Sequence, residues 1–380
     1  LFICIFVMSI LLVFRLFYLQ VIERPYFFNR AEAQKNGSFF KEQGGDIFDR
    51  NGKPLTGSYY ETYAVISPRW LTLSEKELLI KNNLLSSFDE KKPYSIKVNF
   101  QNQQILKTLE GKTPGIFFYH KKERYGPEAL ATHVVGYRGE AGIEKTFDEV
   151  LNSTIVESNI VIDGLGQPIA GVSSSKNEEI VSSVILTIDR EVQAAVEKIM
   201  DDKIPRGAVV VIDADSGEII AMASRPNFLT YNLEDYLERK DSPLINRAIE
   251  AYTPGSIFKV VMLAAALEEG TADLNETFYC PGFITVGGNT IKCSSYDKGG
   301  HGEITLEQAM AYSCNTVFIE LGLRLGKDKI LEYARKFGLN EAVGIGLPEE
   351  KKGYIPENKD VYYPDIGNLS IGQGVIRVTP

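Results

Sequence analysis

Histidine is scarce in this chain of 380 residues: His120, His133 and His301 are the only three, they are scattered, and no His-Glu-x-x-His pair occurs. A Ser-His-Asp hydrolase and a zincin are therefore poorly supported, and the three read as surface or packed residues. Four cysteines are too few for a disulfide scaffold, and Cys4 lies in an apolar run. The other three, Cys280, Cys293 and Cys314, have His301 between them but lack the short paired spacings of a Cys3His zinc site, so neither a metal nor a cofactor is assigned. One disulfide among the three fits an oxidising compartment and leaves an odd thiol. Nucleotide signatures are missing too. "GLGQPIAG" lacks the third glycine of a dinucleotide loop, and "GLRLGKD" has neither the glycine spacing nor the Ser/Thr of a phosphate loop. There is no excess of base: 41 Lys and Arg against 50 Asp and Glu give a net charge of −9. That balance argues against a broad nucleic-acid surface and leaves small-molecule, peptide or membrane partners.

What the chain does have begins at its N-terminus. "LFICIFVMSILLVF" carries no charge, and "RLFYLQVI" continues the apolar character to Ile22 around Arg15. About 20 such residues suffice to cross a bilayer, and an arginine near the end can snorkel to the interface. Residues 1–22 read as a membrane anchor cut at its start; a signal peptide and a buried core helix are the alternatives. Residues 23–183, with mixed short strands and polar helices, read as a pedestal. They include "GGDIFDRNGKPLT", which has the composition of a strand, a tight turn and a second strand. The texture changes near Val184. Asp189 can cap a helix whose Val192, Val196 and Ile199 share one face, and "GAVVVID" and "EIIAMAS" form a hairpin signal around Ala214-Asp215-Ser216-Gly217. A second domain, 184–380, starts there.

A serine followed three residues later by a lysine occurs four times, at Ser38/Lys41, Ser173/Lys176, Ser256/Lys259 and Ser295/Lys298. Three of the copies sit in settings that read as solvated surface. Ser256 differs, because Thr253-Pro254-Gly255 stops the preceding chain and "IFKVVMLAAALEEG" is a strong helix candidate ending at Gly270. A serine in a first helical turn faces the positive end of the dipole, and Lys259 returns to its side one turn later. Apolar neighbours of Lys259 would lower its pKa toward that of a working base; a capping serine and a snorkelling lysine are the bland reading of the same residues. Ser313-Cys314-Asn315 then stands inside an apolar helical stretch, where a serine and an asparagine together are costly unless needed. A copy of Ser-x-Asn at Ser175/Asn177 lies in a polar loop-like run. A hydroxyl near a Ser/Lys pair could relay a proton, and an amide could hold a peptide group, which together describe serine acyl transfer without histidine.

Ser256-Ile257-Phe258-Lys259 and Ser313-Cys314-Asn315 resemble the SxxK and SxN motifs of penicillin-binding proteins and serine β-lactamases. "GAVVVIDADSGEIIAMASRPNF", "NRAIEAYTPGSIFKVV", "GIGLPEE" and "NLSIGQG" resemble the transpeptidase domain of the monofunctional class B penicillin-binding proteins, and "GDIFDRNG" and "GIEKTFDEVLN" their pedestal. The resemblance implies an α+β architecture: an N-terminal membrane helix, a β-rich pedestal, then an antiparallel sheet with helices on both faces plus an all-helical subdomain, incomplete at the C-terminus. It implies a peptidoglycan D,D-transpeptidase with Ser256 as nucleophile, Lys259 as general base, Ser313 as proton relay and Asn315 as a substrate or Lys259 contact. The partners it implies are peptidoglycan stem peptides, β-lactams, the membrane through residues 1–22, and an integral-membrane glycan polymerase. The domain would be extracytoplasmic on a single span. The pattern departs in two places. No Lys-Thr/Ser-Gly triplet occurs in these residues, so the stretch alone is expected to be inactive or nearly so, and Gly44 stands where the pedestal usually has arginine. A non-catalytic membrane scaffold, and a D,D-carboxypeptidase or β-lactamase using water as acceptor, are the competing readings.

Overall fold

The structure is a computed structural model, and it describes residues 2–24, 39–43, 45–68, 71–84, 94–109, 116–137, 139–152, 155–159 and 182–380. Gly44, Ser38, Ser173, Lys176, Ser175 and Asn177 lie outside the described residues. The chain forms two compact units, one made of Leu1–Phe48, Thr56–Ala129 and Glu149–Ile185, the other of Asp49–Leu55, Leu130–Asp148 and Leu186–Pro380.

In the first unit, a helix over Phe2–Phe17 continues as a π-helical turn over Tyr18–Ile22. Its Ile5–Ile22 stretch is long and apolar enough to cross a membrane, and none of that stretch is buried. Three antiparallel strands follow, with Tyr59–Ile66 paired to Tyr94–Lys97 on one side and Ile116–Glu123 on the other. Ala64, Ile66 and Ile116 pack with Leu79 and Leu106 from the Leu73–Lys81 and Gln103–Leu109 helices. Thr72 starts the first of these helices through a reciprocal cap with Glu75, which satisfies two end amides. The turn expected after Phe48, which falls in the Asp49–Leu55 segment of the second unit, forms, with Gly52 N–H donating to Asp49 O at 3.0 Å. The expected hairpin does not: Ile47–Phe48 pairs in parallel with Val184–Ile185. Asp46 explains the choice. It is buried, and its carboxylate accepts from Thr56 Oγ1 at 2.6 Å and Lys122 Nζ at 2.8 Å, so tertiary polar bonds fix this strand in place of a local partner.

In the second unit, Gly207–Ile212 and Ile219–Arg225 form the expected antiparallel hairpin. Asp213 Oδ1 accepts from the amides of Asp215 and Ser216, which closes its turn. Asp189 caps the Arg190–Lys203 helix by accepting from the Glu191 and Val192 amides. The buried side of that helix is not the expected Val192, Val196, Ile199 face but Gln193, Glu197 and Met200. Gln193 makes this possible: its amide group donates to Met222 O and accepts from Met222 N–H, joining helix to strand as a backbone group would. Ile199 is left 60% exposed.

Candidate active site

Two helices meet at the centre of the second unit's core. A 3-10 turn over Gly255–Phe258 runs directly into the Lys259–Glu268 helix, so Ser256 sits in the entry turn that the sequence predicts. Glycine is required at 255, where φ is +61°, and the Gly255 amide donates to Gly372 O at 2.8 Å. Gly372 itself stands at φ +66°, and a Cβ there would lie 2.2 Å from Gly255 O and 2.5 Å from Phe258 Cβ. The "NLSIGQG" segment thus closes on the serine turn as a backbone-to-backbone contact. Behind the turn, Phe258, Val261, Met262, Ala265 and Ala266 bury one helical face against Val317, Phe318 and Leu321 of the Asn315–Lys336 helix.

Lys259 lies on the buried face, with 1% of its surface exposed. Its Nζ reaches Ser256 Oγ at 3.2 Å, Ser313 O at 2.7 Å, Ser313 Oγ at 3.0 Å and Asn315 Oδ1 at 2.7 Å, and stands over the Phe318 ring at 5.7 Å. Burial pushes its pKa below the ordinary lysine value, while negative character on Cys293 and Cys314 pulls the other way. Asn315 cannot be turned round, because its Nδ2 donates to Lys292 O at 2.9 Å. The Ser313 carbonyl and Asn315 Oδ1 can only accept, so they use two N–H bonds of Lys259. Among the described residues, the other oxygens in hydrogen-bond reach of Nζ are the Ser256 and Ser313 hydroxyls, each of which can accept from the amine.

Ser313, Cys314 and Asn315 do not lie within a continuous helix, as their apolar surroundings suggested. The Leu306–Ala311 helix ends, Ser313 adopts φ +52°, Cys314 is the N-cap residue, and Asn315 opens the next helix. A left-handed serine is unusual. It takes the Ser313 carbonyl out of a helical ladder and makes it available to Lys259. Ser256, Lys259, Ser313 and Asn315, the four site residues read from the sequence, are brought together. Ser295, expected on a solvated surface with Lys298, is instead buried, its Oγ 3.2 Å from His301 Nδ1. His120 is exposed and His133 buried. Two contributors escaped the sequence reading. The Lys292 carbonyl, which orients Asn315, carries no side-chain signal. The other is the gathering of Cys280, Cys293, His301 and Cys314, whose ligand atoms all lie within 4.8 Å of one another although their spacing in sequence is wide.

A serine and a buried lysine one turn apart, faced by a second serine and an asparagine, are the groups that a serine–lysine acyl-transfer site requires. Residues 207–380 match the penicillin binding protein transpeptidase domain. The chain is 29% identical to stage V sporulation protein D of Bacillus subtilis over 90% of its own length and 56% of the relative's. It is 26% identical to the peptidoglycan D,D-transpeptidase MrdA of Acinetobacter baumannii over 88% and 58% respectively. Among solved structures, a chain described under "Structural coordination of polymerization and crosslinking by a peptidoglycan synthase complex" superposes with a TM-score of 0.70 at 26% identity, covering 100% of this chain and 74% of that one. Residues 207–380 carry the penicillin binding protein transpeptidase domain, and the chain as a whole is similar to the class B penicillin-binding proteins and has their transpeptidase fold. It spans a little over half the length of the first two relatives.

Proposed function

We propose that the protein is a peptidoglycan D,D-transpeptidase that works through a serine acyl-enzyme. The observation that carries the reading is the contact set of Lys259 Nζ with Ser256 Oγ, Ser313 Oγ and Asn315 Oδ1. In the first half-reaction the Ser256 hydroxyl gives its proton to Lys259, and its oxygen bonds to the carbonyl carbon between the two D-alanines of a stem peptide. The C–N bond then breaks, Ser313 passes a proton to the departing D-alanine amine, and an ester to Ser256 remains. In the second, an amine of a neighbouring stem attacks that ester, an amide cross-link forms, and Ser256 regains its proton. The Ser256 amide, in the entry turn of the helix, is one donor to the oxyanion that develops in each step. Asn315 holds the substrate peptide as well as Lys259. A β-lactam carbonyl would enter the same path and stop at the acyl-enzyme.

The Ile5–Ile22 helix is proposed as the single membrane span, with the site outside the cytoplasm and an integral-membrane glycan polymerase as partner. The polymerase is suggested by the synthase complex that the chain resembles. These 380 residues contain no Lys-Thr/Ser-Gly triplet, so on this reading they hold the nucleophile and its base but not the contact to the substrate carboxylate, and alone they should turn over poorly. A scaffold has no need of a buried lysine held by four oxygens. The test is covalent labelling of the full-length protein by a fluorescent penicillin. Labelling that disappears in Ser256→Ala supports the assignment, and labelling that survives there defeats it. Product analysis with an added acceptor amine separates cross-linking from hydrolysis by water.

A further inference from the structure

Among the described residues, the three-stranded sheet of the first unit is covered over only part of one face. Alternate residues of a strand share a face, so the register lays four rows on that side: Ile66/Ile116, Ala64/Phe118, Thr62/His120 and Tyr60/Lys122. The Leu73–Lys81 and Gln103–Leu109 helices pack Leu79 and Leu106 over the first two rows. Beyond them, Tyr60, Thr62 and His120 line a cavity of about 510 Å³, walled on its other side by Phe100, Gln103 and Lys107. Small-molecule sites span roughly 300–1,000 Å³, and the acyl-transfer reading makes no use of this one.

Phe100 is 92% exposed, yet the turn that presents it is fixed. Asn102 is buried, accepts from the Asn99 amide at 2.7 Å and donates to Lys97 O at 2.9 Å. Tyr60 is 71% exposed on a strand paired along its length with Ile116–Glu123. Two large rings held in water by rigid backbone at one cavity mark a binding surface. The polar groups between them decide what it binds. Thr62 Oγ1 lies 3.1 Å from His120 Nδ1, which leaves Nε2 as the ring's other polar atom, and Gln103 offers both a carbonyl oxygen and an amide group. An apolar helix laid here would cover these groups without answering their hydrogen bonds. A sugar ring answers both kinds of wall, with C–H faces for the aromatic rings and hydroxyl or acetamido groups for the polar side chains. Charge narrows the choice. The described lining holds two lysines, Lys97 and Lys107, against one carboxylate, Glu61, which pairs with Lys97. A local excess of base on a chain of net charge −9 complements an acidic sugar.

We propose that this cavity binds the glycan strand of peptidoglycan, an N-acetylated amino-sugar polymer bearing carboxyl groups, with Tyr60 and Phe100 against sugar faces and Lys107 facing a carboxylate. The choice of polymer rests on the transpeptidase reading, and the preference for an acidic sugar rests on the cavity itself. No bond is made or broken there. Holding the strand at a site separate from Ser256 raises the effective concentration of its stem peptides for the same protein molecule.

The experiment is calorimetric titration of the full-length protein with three probes: peptide-free glycan strands of peptidoglycan, free stem peptides, and the uncharged tetramer of N-acetylglucosamine. Peptide-free strands contain no D-alanine and cannot occupy Ser256 as acyl donors. The proposal expects them to bind more tightly than the tetramer, and Tyr60→Ala and Phe100→Ala each to weaken them at least about tenfold. Lys107→Glu should weaken the acidic strands roughly two- to fivefold and leave the tetramer unchanged. All three side chains are exposed, so the variants should keep the parent's circular dichroism and its rate of penicillin labelling. The proposal is overturned if the strands do not bind, if stem peptides bind in their place, or if a folded Tyr60→Ala/Phe100→Ala double variant binds strands as the parent does. Equal losses for strands and tetramer in Lys107→Glu would refute the acidic sugar. Labelling of Ser256 is scored separately from strand binding, so failure of this site and failure of the transpeptidase reading cannot be confused.

Discussion

Lys259 Nζ donates to the Ser313 carbonyl oxygen at 2.7 Å, and Ser313 presents that oxygen from a left-handed conformation with φ +52°. A non-glycine residue held there costs on the order of 1–3 kcal/mol, and the cost buys an acceptor that an unbroken helix would have used internally. Glycine adopts the conformation freely and alanine does not. Ser313→Gly should therefore be more stable than Ser313→Ala by about 1 kcal/mol, read as a difference in denaturant midpoint at equal slope. Both lose the hydroxyl, and both should acylate roughly 10²- to 10⁴-fold more slowly than the parent. Equal stability of the two variants would show that the backbone stores no strain at this position.

The four oxygens around Lys259 make a second prediction. Lys259→Met fills most of the volume but removes the donor to Ser313 O and Asn315 Oδ1, both of which lie at a buried amine. Leaving a buried acceptor without a partner costs about 1–3 kcal/mol. The variant should unfold at correspondingly lower denaturant, and penicillin labelling should fall to the level of Ser256→Ala. A variant as stable as the parent would mean that water or a side-chain shift replaces the amine. Retained labelling would remove Lys259 from the role of base.

Gly372 offers a test of the closure over Ser256 from outside the serine–lysine pair. Its φ is +66°, and an added Cβ meets backbone, Gly255 O at 2.2 Å, rather than a side chain that can swing away. Gly372→Ala should lose more than the roughly 1 kcal/mol of an ordinary left-handed alanine, because the contact forces two backbone segments apart. Since the displaced segment is the one that carries Ser256, labelling rate should fall further than stability alone explains. A folded variant that labels at the parental rate would show that the Gly255–Gly372 contact is not what places the serine.

The parts of this site that were legible in the sequence are those set by local geometry. Ser256 and Lys259 are one helical turn apart, and Pro254-Gly255 marks the turn that starts them, so their meeting follows from helix period alone. Asp189 as a cap and the 207–225 hairpin are equally local. What escaped was tertiary. The Ser313–Asn315 break follows from a carbonyl claimed by Lys259, a residue 54 positions away. Apolar periodicity chose Val192, Val196 and Ile199 for burial, but Gln193 is 0% exposed because it substitutes for a backbone pair with Met222, a bond that no hydrophobicity pattern can register. The Cys280, Cys293, His301 and Cys314 cluster depends on strand pairing that brings residues of wide spacing to one ribbon end.

His133 gives the prediction that depends on pH. It is buried edge-on against Phe228, with ring centroids 4.9 Å apart, and its Nε2 lies 2.7 Å from Pro243 O. A carbonyl only accepts, so the proton of the neutral ring is on Nε2. Burial pushes its pKa down to about 4; the Pro243 bond opposes the shift, and Arg225 and Arg247 add to it. In the unfolded chain the ring takes up a proton near its ordinary value of about 6.5, so the unfolded state binds more protons between the two values. The His133 contribution is fully present above pH of about 6.5, declines as pH falls toward 4, and levels off below that. The fall from about 6.5 to about 4 corresponds to about 3 kcal/mol across the window. Denaturant titrations at a series of pH values should show that loss in the parent and not in His133→Gln, which can keep a donor to Pro243 O without titrating. Parallel pH profiles for the two proteins would place the acid sensitivity on other groups and show that the His133 ring takes up its proton at the same pH folded and unfolded.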